Sequence, residues 1–192
     1  MKRIFLIHGW GGSPEEGWTP WLKGKLEKRG FEVYVPAMSD SKHPRMDAWL
    51  ANLRETVRVP DQNCYFVGHS LGCITILRYL ETLEENQKVG GAVLVAGFSD
   101  INITVGPDEN VLEIQSFFQT NVDFAAIRKH CDKFVAIHSD NDPYVDLRYA
   151  DIFRENLGAK VLVEKHKGHF SGDDGIMELP SALENTLQLA SD

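Results

Sequence analysis

The 192-residue chain is poor in cysteine: it has three, Cys64, Cys73 and Cys131, with no C-x-x-C pair and no zinc-type spacing. That scarcity excludes a disulfide framework. Cys64 and Cys73 sit in apolar stretches and read as small buried hydrophobes, which points to a reducing, cytoplasmic compartment. The chain also lacks any apolar run near the roughly 18 residues of a membrane span. The apolar run at its start, Ile4–Ile7, stops after four residues, well short of the roughly 7–15 of a secretory signal core. Positive charge is in deficit, with 20 Lys and Arg against 28 Asp and Glu and a net charge of −8. Nucleic acid and anionic membrane are therefore disfavoured as partners, since both demand a basic face. Low-complexity linkers and internal repeats are absent too, so a single domain over residues 1–192 is expected.

What is present is an ordinary globular composition, 43% hydrophobic and 25% charged. A domain of this length buries roughly 70% of its unfolded surface, enough to need no metal or disulfide staple. Short β-branched runs alternate with helical patterns from end to end. Strands are expected at Ile4–Ile7, Phe31–Val35, Cys64–Val67, Ala92–Ala96, Phe134–His138 and Val161–Val163. Apolar residues at helical spacing predict helices over Trp18–Arg29, Met46–Val57, Leu71–Leu83, Asp146–Leu157 and Leu179–Leu189. This alternation predicts an α/β fold, a doubly wound, mostly parallel six-stranded sheet covered on both faces. Right-handed crossovers give the strand order 2-1-3-4-5-6. The irregular stretch from about Phe98 to Cys131 is read either as a lid or as packing helices such as Asp123–His130.

Gly68-His69-Ser70-Leu71-Gly72 matches G-x-S-x-G and falls between a predicted strand and a predicted helix. That setting is what a nucleophile elbow requires: a tight, strained turn that lifts the serine hydroxyl clear of the sheet. Glycines two before and two after leave room for the neighbouring strand and helix. The competing reading is a glycine-rich turn with an N-capping serine.

A serine hydroxyl is a poor nucleophile without a base and an orienting carboxylate. Both follow in the expected order at the ends of later strands. The fifth strand runs into Ser139-Asp140-Asn141-Asp142-Pro143, and the sixth is followed by His166-Lys167-Gly168-His169-Phe170. Asp142 is preferred as the acid because the residue before proline is biased to an extended, projecting conformation. Asp140 is the alternative, or a turn-former. His169 is preferred as the base because Gly168 permits a tight loop. His166 lies in a polar run, His69 reads as packing or hydrogen-bonding locally rather than as the base, and His8 and His138 read as core histidines. A metal on His166 and His169 finds no further ligands in the pattern, so no metal is expected. Oxyanion donors are expected from the amide of Leu71, after the serine, and of Trp10, in the loop after the first strand. That loop, His8-Gly9-Trp10-Gly11-Gly12, carries no nucleotide-binding signature.

Together these motifs resemble the α/β-hydrolase superfamily over nearly the whole chain. Within it, the small size, Pro44-Arg45, Val93–Phe98 and Asn141-Asp142-Pro143 resemble the compact serine hydrolases typified by retinoblastoma-binding protein 9 and YdeN-type proteins. The resemblance implies a shortened sheet and a serine hydrolase acting on a small carboxylic ester through Ser70, His169 and Asp142. It implies an acyl-enzyme, no cofactor and a small-molecule acyl substrate. The aromatic residues Trp10, Phe98, Phe117, Phe118 and Phe170 are the expected pocket wall, although each taken singly reads as core. Two alternatives stay open: a hydrolase-fold binding module acting through protein partners, and a thioesterase or amidase with the same three residues.

Overall fold

The structure, a computed structural model, describes residues 1–101 and 112–191. Six strands form one sheet: β1 (Arg3–Ile7), β2 (Glu32–Tyr34), β3 (Cys64–His69), β4 (Gly91–Val95), β5 (Phe134–Ser139) and β6 (Lys160–Glu164). All pair in parallel, in the order β2-β1-β3-β4-β5-β6. The predicted α/β sheet and its strand order are thus observed.

The central strands are apolar throughout because both of their faces are covered. β4 is buried at every residue, and β1 at all but Arg3. One face packs against α2 (Met46–Val57), α3 (Leu71–Glu81), α4 (Phe124–His130) and α5 (Arg148–Leu157), through Trp49, Leu53, Leu77, Ile127 and Phe153 among others. The other packs against α1 (Thr19–Glu27) and α6 (Pro180–Ser191), through Leu22, Leu26, Ala182 and Leu183. Helix α3 is buried from Leu71 to Leu80, as expected of a helix that carries apolar residues around its circumference.

Element ends shift for local reasons. The helix expected from Asp146 starts at Arg148, because Asp146 Oδ1 accepts the Arg148 N–H at 2.7 Å and turns the chain first. Gly158, at φ 67°, stops it. Helix α3 ends at Glu81 rather than Leu83, where the Thr82 hydroxyl donates to the Tyr79 carbonyl at 2.8 Å.

Of the stretch expected to be a lid or packing helices, residues 102–111 lie outside the described residues. Its described part includes a 3₁₀ turn, Gln115–Phe118, and α4. The buried Arg78 of α3 clasps it, donating to the carbonyls of Phe117 (3.0 Å), Thr120 and Asn121 (3.3 Å) while paired with Glu81 at 2.9 Å.

The register brings the carboxyl ends of the strands level, with Ile7 opposite Gly68 and His69 opposite Val95. The chain leaves β1 and β3 toward opposite faces, so a crevice opens between their following loops. Open α/β sheets bind ligands at such a switch point.

Candidate active site

Ser70 stands between β3 and α3 with φ 53° and ψ −118°, a conformation that costs a non-glycine residue of order 1–3 kcal/mol. Packing enforces it. A Cβ on Gly68 would come within 2.8 Å of the Cys73 nitrogen, and one on Gly72 within 2.2 Å of the Ile7 carbonyl oxygen. Only bare backbone lets α3 begin so close to β1. The Ser70 N–H donates to the Val95 carbonyl at 2.9 Å, while its side chain makes no helix-capping bond. The hydroxyl is left to His169, whose Nε2 lies 2.8 Å from Ser70 Oγ.

His169 sits on the loop after β6. Its Nδ1 lies 2.9 Å from Asp142 Oδ2 and 3.1 Å from Oδ1. A carboxylate only accepts, so the imidazole proton is on Nδ1 and Nε2 presents its lone pair to the serine hydroxyl. Asp142 is itself fixed, because Oδ1 accepts the amides of Tyr144 (2.9 Å) and Val145 (3.0 Å). The Asp142 side chain is 2% exposed and that of His169 13%, so water weakens the pair little. Asp140 takes no part in it: its Oδ1 accepts the His166 amide at 2.8 Å and shapes the loop.

The loop that carries His169 has no regular structure and is held by side chains. Asn141 Oδ1 accepts the Gly168 amide (2.9 Å), and Ser139 Oγ the Lys167 amide (3.1 Å). Asp174 Oδ2 accepts the amides of His169 (2.9 Å) and Ser171 (3.0 Å) and the Ser171 hydroxyl (2.7 Å). Partial burial pushes the Asp174 carboxyl up, but the Ser171 and His169 hydrogen bonds outweigh it and hold the group below the usual carboxylate range. Gly168, at φ 55°, lies so close that a Cβ there would meet Asp174 Oδ1 at 2.1 Å. His69 Nε2 lies 2.7 Å from the His169 carbonyl oxygen. Burial, aided by the neighbouring His169 ring, pushes the His69 imidazole down to about 4.

Across the crevice, His8 braces the loop after β1. Its Nε2 accepts the Met38 amide at 3.0 Å, so Nδ1 carries the proton and donates to the Gly9 carbonyl at 2.8 Å. The Trp10 indole donates to the Lys42 carbonyl at 2.8 Å. A Cβ on Gly9 would fall 3.1 Å from Ser70 Cβ, which shows how closely this loop approaches the serine. The amides of Trp10 and Leu71 donate to no backbone carbonyl among the described residues.

A cleft of about 420 Å³ opens at Ser70 and His169, lined by Trp10, Trp18, Glu16, Asp173, Phe170 and the glycines of both loops. Of the five aromatic residues named from the sequence, Trp10 and Phe170 line this cleft. Phe98 and Phe117, 2% and 0% exposed, belong to the core, where Phe117 packs edge-on against Trp49. Phe118 stacks on Phe98 and faces a different depression, beside His43 and Pro44. Their apolar surface is spent on helix packing.

A family model described as serine hydrolase matches residues 4–188. The chain belongs to the serine hydrolase family. YdeN of Bacillus subtilis is 31% identical over 179 residues, 93% of this chain and 91% of its own. The serine hydrolase RBBP9 of Rattus norvegicus is 27% identical and covers 87% of this chain and 85% of itself. The crystal structure of the ydeN gene product superposes with a TM-score of 0.91 at 29% identity, with all of both chains covered. Est1E of Butyrivibrio proteoclasticus, at 15% identity, superposes with a TM-score of 0.76 over this whole chain and 90% of its own, and shares the fold. The chain is a hydrolase of the α/β type.

Several residues of the site gave no readable signal in the sequence. Asn141 and Asp174 lie among other polar loop residues, and only folding shows which amides they hold. His69 reads as packing or as a local hydrogen bond, and only the folded loop shows its partner to be the distant His169 carbonyl. The three cysteines, all buried, are poor nucleophile candidates: burial raises the Cys64 thiol to about 11 and Cys131 to about 12, and raises Cys73 as well.

Proposed function

We propose that this hydrolase cleaves a small carboxylic ester by acyl transfer through Ser70. The observation that carries the reading is the continuous chain Ser70 Oγ, His169 Nε2 and Nδ1, Asp142, with contacts of 2.8 and 2.9 Å, beginning at a strained turn. Ser70 Oγ attacks the ester carbonyl carbon while His169 Nε2 takes its proton. Asp142 keeps the imidazole in the tautomer that can accept and offsets the charge it gains. The Leu71 and Trp10 amides donate to the oxyanion as it develops, each contributing about 3–4 kcal/mol to the lowering of the barrier. Protonated His169 then gives its proton to the leaving alkoxide. Water, deprotonated by the same ring, attacks the acyl-enzyme and frees the acid and Ser70. Apart from the ester and water, every group this scheme uses is a residue of the chain, and it draws on no cofactor.

The cleft suits a compact acyl group, being near the lower end of the roughly 300–1,000 Å³ usual for ligand sites. Three buried, unpaired thiols fit a cytoplasmic setting. The test is an activity-based fluorophosphonate probe together with a p-nitrophenyl ester series from acetate to octanoate. Labelling and turnover that vanish in Ser70→Ala, with rates falling as the acyl chain lengthens, are the expected results. Labelling that persists in Ser70→Ala overturns the assignment.

A further inference from the structure

We propose that His69, the residue before the serine, is a positioning residue that sets the placement of the His169 ring over Ser70. The proposal rests on the reading of Ser70 as nucleophile and His169 as its base.

Nothing regular holds the loop of His169, so its two peptide groups need fixing from outside. The His169 N–H is taken by Asp174 and its C=O by His69 Nε2 at 2.7 Å, from the two sides of the residue. His69 is well suited to this because it is the last residue of β3 and cannot drift. The Trp18 ring lies edge-on to it at 5.9 Å, and the Trp18 indole donates to the next carbonyl, that of Phe170, at 3.0 Å. Two consecutive carbonyls of the loop are thus tied to a rigid pair of rings. Since Ser70 follows His69 directly, one dipeptide anchors both ends of the Ser70–His169 hydrogen bond. Any motion of the strand end moves nucleophile and base together.

The chemistry fixes the tautomer. A carbonyl oxygen only accepts, so Nε2 of His69 carries a proton, and burial keeps the ring otherwise unprotonated and neutral. Neutrality matters because the His69 and His169 ring centres are 5.1 Å apart. A cation at His69 would oppose the imidazolium that His169 becomes in each half-reaction. Packing alone asks for less: a phenylalanine could meet Trp18 as well as an imidazole does. Only the donated hydrogen bond requires a donor at the reach of the imidazole Nε2.

The experiment compares His69→Gln with His69→Asn, using His69→Phe as the packing control. The glutamine amide nitrogen can occupy the place of Nε2 and donate to the same carbonyl, whereas asparagine is one methylene too short. Steady-state kinetics on p-nitrophenyl acetate, the fluorophosphonate labelling rate, and the downfield proton resonance of the His169–Asp142 hydrogen bond are read for each. His69→Asn and His69→Phe should lower kcat and the labelling rate by about 100-fold, as a misplacement near 1 Å does. KM should stay within about twofold, and the downfield resonance should broaden or vanish. His69→Gln should recover rates to within about tenfold of wild type and restore the resonance. Should His69→Phe fail to fold, the Gln and Asn pair carries the test alone. Equal rates for Gln and Asn, with Ser70 labelling intact in the wild type, overturn the positioning role. Wild-type labelling that survives Ser70→Ala refutes instead the reading on which it rests.

Discussion

The turn at Ser70 and the loop at His169 hold their side chains by opposite means. The Ser70 turn is a steric device. A wholly buried helix starts against β1 with no space for a Cβ at Gly72, and packing forces the serine into a left-handed backbone. The His169 loop is an electrostatic device. Its amides are caught one by one by Asp140, Asn141 and Asp174, with little apolar burial beyond Phe170. The first is stiff because interiors are close-packed. The second can be retuned by single carboxylates. This chain therefore fixes its serine by packing and its histidine by hydrogen bonds.

The largest expected effects fall on the chemistry itself. Ser70→Ala should lower turnover by about 10⁴-fold or more and leave the melting temperature nearly unchanged, since the hydroxyl contributes no cap. Ser70→Gly should be equally inactive but about 1 kcal/mol more stable, because glycine adopts φ 53° without strain. Equal stability of the two variants, measured by urea denaturation, would mean that the turn is not strained. Next comes Asp142→Asn, which should cost about 10⁴-fold in kcat by favouring the wrong imidazole tautomer. Asp140→Asn should cost about tenfold, since it only loosens a loop amide. The reverse order in kinetics at pH 8 would reassign the acid.

The comparison itself is sharpened by two glycine substitutions. Gly72→Ala should remove about 3 kcal/mol or more of stability, as overpacking against an immovable carbonyl does. Gly168→Ala should cost less, about 2 kcal/mol, for a side chain at φ 55° and an Asp174 carboxylate that must give up hydrogen bonds to move, yet reduce kcat by about 100-fold as the loop shifts. If both variants lose stability alike, the two regions are held in the same way.

Acid gives the smallest test. His138 is buried, and its Nε2 has no hydrogen-bond partner among the described residues. Burial pushes it, like His69, down to about 4. Below its ordinary value of 6.5 the unfolded chain therefore binds protons that the fold refuses. Stability is full above that value and declines as pH falls toward 4. The depressed Asp174 acts in the same direction further down, its contribution present above its ordinary value and lost below it. His138→Leu should flatten the loss between pH 7 and 4.5 by about 1–2 kcal/mol. An unchanged pH slope in the urea midpoint would show that His138 is not among the groups responsible.

The sheet order was legible because buried parallel strands are apolar runs and crossovers have one hand. The meeting of Ser70, Asp142 and His169 was legible because each follows a strand at the same edge of that sheet. The roles of His69, Asn141 and Asp174 were not, because a polar loop residue declares its partner only once the chain has folded back. Which of the aromatic residues face the cleft was not legible, for a related reason. Phe98 and Phe117 are as apolar as pocket residues, and only packing shows that Tyr149 of α5 claims the first and Trp49 of α2 the second.

Ser70 and His169 lie 99 residues apart along the chain. Between them stand β4, β5 and β6, each of which must find its parallel neighbour before the loop of His169 can rest above the serine. Parallel pairings of this span close slowly, because chain entropy is lost before contacts compensate for it. Recovery of ester hydrolysis during refolding should therefore trail the return of helical circular dichroism. Returning activity would then report the last long-range closure, the docking of β6.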